Sequence, residues 1–232
     1  MAAPTARTAR ERARAEITGE ILAAARRQLD EVGAGALSLR AVARDVGMVS
    51  SAVYRYFPSR DDLLTALIIS AYDALADEVE RADATFTRRS DLEGRWLASC
   101  RAVRSWALAH PQEWALIFGS PVPGYAAPVD TIGPATRTSA VLVGVLVDGV
   151  ASGDIGAGGE RVPAPVRADL RALAEQMGVG LPPAVVARGL IAWTHLVGAV
   201  SFELFGQRNN VIGDHDAFFD HEMRQIGRFI GL

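Results

Sequence analysis

Two stretches of this 232-residue chain gather side chains that could do chemistry. One, GDHDAFFDHE (213–222), holds Asp214, His215, Asp216, Asp220, His221 and Glu222, the residue types of a metal or acid–base site. At ~100° per residue His215 and His221 stand about 240° apart on a helix, so they cannot chelate one ion from one face. Asp214 suits an N-cap, and the charges after it a solvated helical face. The chain has no G-x-S-x-G elbow, no phosphate-cradling GxxxxGK[ST] and no paired-cysteine spacing. The single cysteine, Cys100, follows Trp96 by four residues and precedes Val103 by three, the spacing of a core position. No catalytic residue, metal or cofactor is therefore expected, and the chain does not read as an enzyme.

The other stretch, VGMVSSAVYRYFPSRDDLL (46–64), carries a different chemistry. On a helix from about Ser50 to Phe57, the period places Val49, Val53 and Phe57 on one side. Ser50, Ser51, Tyr54 and Arg55 fall on the other. Serine and tyrosine hydroxyls bond phosphate oxygens, and arginine bonds phosphate or pairs bidentately with guanine. Immediately before it, Leu39–Val46 reads as a short helix capped by Ser38, with Leu39, Val42, Ala43 and Val46 inward. Gly47 follows where a left-handed backbone is needed. Two short helices joined this way form a helix-turn-helix, which leaves one face of the second helix free to enter a major groove.

Charge distribution agrees with a polyanionic partner at one end. Residues 1–60 hold ten arginines against six acids, a net +4, and residues 61–232 hold fourteen against twenty-one, a net −7. The chain contains no lysine at all. The start has arginines without an apolar core after them, unlike a secretory signal. No run approaches ~18 uninterrupted apolar residues, so no membrane association is expected. One cysteine excludes an internal disulfide and fits a reducing cytoplasm.

The remaining elements read as helices throughout, an all-α chain of about nine or ten. Residues 1–13 read as a flexible basic arm with Arg7, Arg10 and Arg12, and the first helix as about Arg14 to Val32, stopped by Gly33. Ser59 with Asp62 opens a long fourth helix to about Asp83, and Ser90 with Glu93 a fifth to about His110. Pro111–Phe118 forms a sixth, followed by a Gly/Pro loop (119–134). Helices near 135–151, 166–177, 184–205 and 215–230 complete the chain. The division expected is a DNA-binding domain over 1–60 and a ligand-binding and dimerisation domain over 61–232.

LSLRAVARDVGMVSSAVYRYFPSRDDLL (37–64) resembles the DNA-binding signature of the TetR family of bacterial transcriptional regulators. The match includes Gly47, the Tyr54-x-x-Phe57 pair, the turn at Pro58 and the basic Arg60 before acids and leucines. The resemblance implies that Arg40, Ser50, Ser51, Ala52, Tyr54, Arg55, Tyr56 and Arg60 meet double-stranded DNA, with Arg60 on backbone phosphate. Val49 departs from the usual serine or threonine cap, Ala52 replaces a frequent threonine, and Tyr56 falls near the inner side by helical angle.

WTHLVG (193–198) resembles a tryptophan–histidine–glycine pattern in one branch of TetR-type C-terminal domains, through Trp193, His195 and Gly198. Helix 184–206 is apolar on both sides, and the last helix carries a broad apolar stripe. The family's last two helices pair with their copies in a homodimer, which points to Val197, Val200, Leu204, Phe218, Phe219, Met223 and Ile226. Trp106, Trp114, Phe118, Trp193 and His195 are the candidates for a mostly apolar effector pocket. The implied function is a repressor that binds a palindromic operator as a dimer and is released by a hydrophobic small molecule. A helical small-molecule-binding protein or enzyme with a vestigial helix-turn-helix is the alternative.

Overall fold

A computed structural model of the chain describes residues 8–156, 158 and 161–232. The chain forms ten α-helices among these residues, and no strand. They are α1 (Ala9–Val32), α2 (Leu39–Asp45), α3 (Ser50–Val53), α4 (Arg60–Ala84), α5 (Leu92–Ala109), α6 (Pro111–Phe118), α7 (Ile132–Ser152), α8 (Ala164–Gln176), α9 (Pro183–Leu204) and α10 (His215–Ile230). Single 3₁₀ turns occupy Ala34–Ala36 and Val129–Thr131.

Capping chemistry sets several of the ends. The first helix starts five residues earlier than its apolar stripe suggests. Thr8 accepts from the Glu11 amide, and Glu11 returns a bond to the Thr8 amide, a reciprocal capping box. Residues 9–13 are thus helical rather than part of an arm; Arg7 lies outside the described residues. Asp91, and not Ser90, caps α5 by accepting from the Gly94 amide at 3.0 Å. A Cβ at residue 94 would lie 2.6 Å from the Asp91 carboxylate, so glycine there makes room for that cap. Ser59 opens α4 by accepting from the Asp62 amide, while its hydroxyl meets the Asp62 carboxylate at 2.7 Å. Asp214 caps α10 through the Ala217 amide.

The chain separates into two compact units. The first contains residues up to 71 together with Gln112–Ile132, and the second Tyr72–Pro111 with Gly133–Leu232. The boundary between these compact units falls inside α4. The first unit is built on Ile21, Ala24, Ala25, Leu37, Leu39, Val42, Ala43, Val53, Phe57, Leu63, Leu64 and Leu67, all buried. Leu116, Val122 and Tyr125 from the distant segment pack on that core. Arg26 donates to Glu113 at 3.0 Å and also to Ser70, and Thr65 and Tyr125 share a hydrogen bond of 2.9 Å. The stretch read as a Gly/Pro loop is thus part of the first unit's fabric.

In the second unit α5 packs on α9 and α10, and the Trp96 indole of α5 donates to the Met223 carbonyl of α10 at 2.9 Å. A fully buried guanidinium, that of Arg95, donates to Asp83 on α4 at 2.8 Å and Asp148 on α7 at 2.7 Å. Arg137 on α7 reaches Asp73, Asp77 and Glu80 on α4. Arg101 pairs with Asp220, and Arg104 with Glu203 and Asp216. Two helical stretches, Val129–Ser152 and Pro183–Leu204, are long and apolar enough to cross a membrane by length and composition, a test that core helices also pass.

Burial raises the Asp83 carboxyl, but hydrogen bonds from Arg95 and Arg89 outweigh it and hold the group below the usual carboxylate range. The Arg101 hydrogen bond does the same for Asp220, against a smaller opposing effect of burial. A depressed folded value means stability that is complete above the unfolded value, about pH 4, and is lost as pH falls through the folded one. Arg95→Met should cost about 2–3 kcal/mol in urea unfolding, because it leaves two carboxylates without their shared partner. It should also reduce the Asp83 part of the loss below about pH 4, leaving the share that Arg89 supplies. An unchanged midpoint would show the arginine to be incidental.

Candidate nucleic-acid interface

The turn between α2 and α3 is fixed by backbone geometry. Gly47 takes φ +67°, the left-handed region that costs glycine nothing. The Met48 amide bonds the Ala43 carbonyl at 2.9 Å and the Gly47 amide the Arg44 carbonyl at 3.2 Å, the paired bonds of a Schellman ending. The chain leaves this turn through Val49 and enters α3 at Ser50. Ser38, at the start of α2, makes no side-chain cap bond; its amide donates to the Gln28 side chain at 2.6 Å.

Regular helix in α3 covers only Ser50–Val53, and tighter turns carry the chain on through Tyr54–Tyr56. The Arg55 amide bonds Ala52, the Tyr56 amide Val53, and the Phe57 amide Val53. Val53 is fully buried and Phe57 nearly so, as expected for the inner side. Val49 is not on that side: it is 71% exposed, because it precedes the helix in extended backbone. Anchored by Val53 and Phe57, the segment presents Ser51, Tyr54 and Arg55 outward, with Ser50 and Ala52 half-buried at the margin. Arg40 on α2 is exposed too. Among the described residues, no side-chain hydrogen bond or ion pair engages Arg40, Ser50, Ser51, Tyr54 or Arg55.

Tyr56 and Arg60 stand apart from this set. Tyr56 is half-buried beneath the Arg14 guanidinium, which lies 5.2 Å from the ring centroid. Arg60 donates to the carbonyls of Leu37 (3.2 Å), Ala34 (2.8 Å) and Gly35 (3.0 Å), tying the start of α4 to the 3₁₀ turn before α2. That work is internal, whatever else the side chain meets. Arg44, exposed and one turn beyond Arg40, escaped the sequence reading; the i, i+4 repeat was the available signal. What converges here can donate to phosphate from two arginines and three hydroxyls without breaking any internal bond.

The other predicted residues are divided between the units. Trp114 and Phe118 lie in the first, with ring centroids 4.4 Å apart and Trp114 fully buried. Trp106, Trp193 and His195 lie in the second. Trp106 is buried and stacks on His110 at 5.1 Å. His195 Nε2 sits 3.0 Å from Glu222, which Arg208 also grips with two bonds of 2.7 and 2.8 Å. Val200, Phe219 and Met223 are fully buried inside their own subunit, so they pack its core and are closed to a partner. Val197, Leu204, Phe218 and Ile226 are half-buried. The open apolar side of α9 carries Ile191 and Phe202, with Phe205 exposed just past its end and Phe202 55% exposed. A Cβ at Gly198 would meet nothing within 4 Å, so this glycine permits no close approach inside the chain. Among the described residues no three metal-ligating side chains cluster.

A family model described as bacterial regulatory proteins of the tetR family matches residues 21–67, and one described as a tetracyclin repressor-like C-terminal domain matches 96–226. The chain belongs to the TetR family. HTH-type transcriptional regulators Rv1816 of Mycobacterium tuberculosis and Mb1846 of Mycobacterium bovis are each 43% identical to it over 220 residues, covering 92% of both chains. The crystal structure of regulatory protein SCO4313 matches at a TM-score of 0.76 with 36% identity, covering 94% of this chain and 98% of that one. A Rhodococcus protein of unknown function shares the fold at a TM-score of 0.68 and 22% identity, over 99% and 97% of the two chains. This TetR-family chain is accordingly a helix-turn-helix transcriptional regulator.

Arg60→Ala removes three bonds from a charged donor to backbone carbonyls. It should lower the first unit's stability by about 1–2 kcal/mol, read as faster amide exchange in α1 and α2. Unchanged protection there would mean that the arginine does not brace the turn.

Proposed function

We propose that this regulator is a repressor that binds a roughly palindromic operator as a dimer and lets go when a hydrophobic small molecule enters its second unit. The observation that carries the DNA role is the uncommitted polar face of α2 and α3. Arg40, Ser51, Tyr54 and Arg55 are exposed donors with no internal partner, raised on a helix-turn-helix whose apolar side is fully buried. Ser50 and Ala52 would lie close to the duplex, Ala52 with only a methyl to offer. Tyr56 and Arg60 serve chiefly to hold the frame from which the others reach, and Arg60 stands near enough to the margin to add a phosphate contact.

Dimerisation supplies discrimination, since two recognition segments ~34–36 Å apart read successive major grooves. The exposed side of α9 (Ile191 and Phe202, with Phe205 just past its end) is the face that such a partner would cover. Gly198, open on that helix, leaves room for it. The Trp193, His195 and Gly198 pattern supports placing the second unit in the tryptophan–histidine–glycine branch. Coupling between effector and operator would pass along the chain where it crosses between units, foremost within α4. A coupling of ~1–3 kcal/mol weakens operator binding about 5–150-fold.

Arg40→Ala and Tyr54→Phe should each weaken binding to a selected operator several-fold in a mobility-shift assay while leaving the oligomeric state alone. Affinity equal to the unmodified protein's would sink the interface. Operator affinity should fall steeply with salt, by about 0.9 log unit per log unit of salt for each phosphate neutralised. A flat response would be incompatible with phosphate contacts. Phe202→Asp should yield monomers in sedimentation and lose most operator binding; a persisting dimer would place the interface elsewhere.

A further inference from the structure

A single exposed apolar side chain is ordinary on a protein surface. Val49 is set apart by its position. At 71% it is the most exposed large hydrophobic side chain among residues 8–71; Val32, at the end of α1, follows at 52%. Val49 is also the N-cap of α3, with φ −69° and ψ 141°, and its carbonyl accepts the Ala52 amide at 2.9 Å. That backbone suits serine, threonine, aspartate or asparagine, whose side-chain oxygen bonds an open amide of the first turn. The chain uses this device elsewhere: Thr8, Ser59, Asp91 and Asp214 each accept an amide three residues on. Val49 makes no side-chain cap bond. Valine here forgoes a cap and leaves an isopropyl group in water, so it weakens the free protein twice at one position. Local departures of this kind, with no return in packing, concentrate at functional sites.

The surroundings say what the side chain is for. Met48 before it packs on the first unit's core, and Val53 one turn on is fully buried there. Val49 stands out between them, at the head of the segment that exposes Ser51, Tyr54 and Arg55. A recognition helix meets base edges with its N-terminal residues. Donors there bond phosphate, or the acceptors of guanine and adenine; an isopropyl group bonds neither. The apolar feature of the major-groove edges is the C5-methyl group of thymine. A protein partner is a poorer fit. One valine in a stretch whose other exposed side chains are Ser51, Tyr54 and Arg55 makes no apolar patch.

We infer that Val49 is a specificity-determining residue that reads the methyl group of one thymine in each operator half-site. This rests on the reading of α2 and α3 as the DNA interface, and adds to it the identity of one base. The contact is apolar, so it contributes sequence preference and no counterion release.

The test uses a duplex selected from random-sequence DNA by the full-length protein. In its derivatives one thymine at a time, at the matching position of both half-sites, is replaced by deoxyuridine. The exchange removes a methyl group and keeps every hydrogen-bonding group of the base pair. At the thymine that Val49 reads, binding in a mobility-shift assay should weaken about fourfold per half-site, about fifteenfold for the symmetric duplex. The ratio should be the same at low and high salt, because no phosphate contact is lost. In Val49→Ser and Val49→Ala it should fall below twofold. Both variants should melt no lower than the unmodified protein; a fall in both would show the valine serving the fold instead. The assignment is overturned if no uracil duplex binds more weakly than its parent. It is overturned equally if the penalty persists in both variants, which would put the methyl contact on another side chain such as Ala52. Tyr54→Phe separates this contact from the interface it belongs to. Weaker binding by that variant with no uracil penalty removes only the Val49 contact. Unchanged binding by that variant and to every uracil duplex removes the helix-turn-helix face as well.

Discussion

The burial of Val53 and Phe57 is the constraint on which the DNA-reading surface depends. A helix of one turn has no stability of its own, because nucleation costs more than its few bonds return. The α3 segment holds its shape because these two side chains are locked into the core formed by α1, α2 and the start of α4. Once they are fixed, the 100° step per residue leaves Ser51, Tyr54 and Arg55 no direction but outward. Gly47 makes the geometry possible from the other end, since a side chain at φ +67° would strain the turn. Arg60 and Tyr56 then act as braces, one on backbone carbonyls and the other under Arg14.

The second unit solves a different problem. Its helices must enclose an interior while keeping charged side chains at the ends and edges. Arginine forks do the fastening: Arg95 between α4 and α7, Arg137 along α4, and Arg101 and Arg104 toward α9 and α10. Arg95, Arg104 and Arg137 each satisfy two or more carboxylates at once and Arg101 grips both oxygens of one, which suits a planar donor better than a lysine ammonium. The Arg95 guanidinium is the exception: it is fully buried, and its Nη2, like the hydroxyls of Ser99 and Thr138, has no hydrogen-bond partner among the described residues. The apolar excess of α9 has a similar logic. One side builds the subunit through Leu196 and Val200, and the other leaves Phe202 in the open, with Phe205 just past its end.

Much of this was legible in the residues. Apolar spacing located every helix, and Gly47, Ser59 and Asp214 marked their turns and caps. What escaped were signals of equal local strength placed close together. Thr8 with Glu11 is as good a capping box as Ser59 with Asp62, but the small, arginine-rich residues after it carry no apolar stripe. Ser90 and Asp91 are adjacent candidates for one cap, and the space left by Gly94 selects the second. The polar face of α3 was visible because a helical wheel needs only local sequence.

The sequence by itself determined the all-helical class, the helix-turn-helix and the outward direction of its polar residues, because each follows from intervals of three or four residues. Only the tertiary structure decided that Gln112–Ile132 joins the first unit, through Arg26 and Thr65. It also decided that Val200, Phe219 and Met223 are core, and that Ser99 and Thr138 lack partners. These are facts of which helix faces which. Residues 87 apart, such as Arg26 and Glu113, meet through packing that no local period encodes.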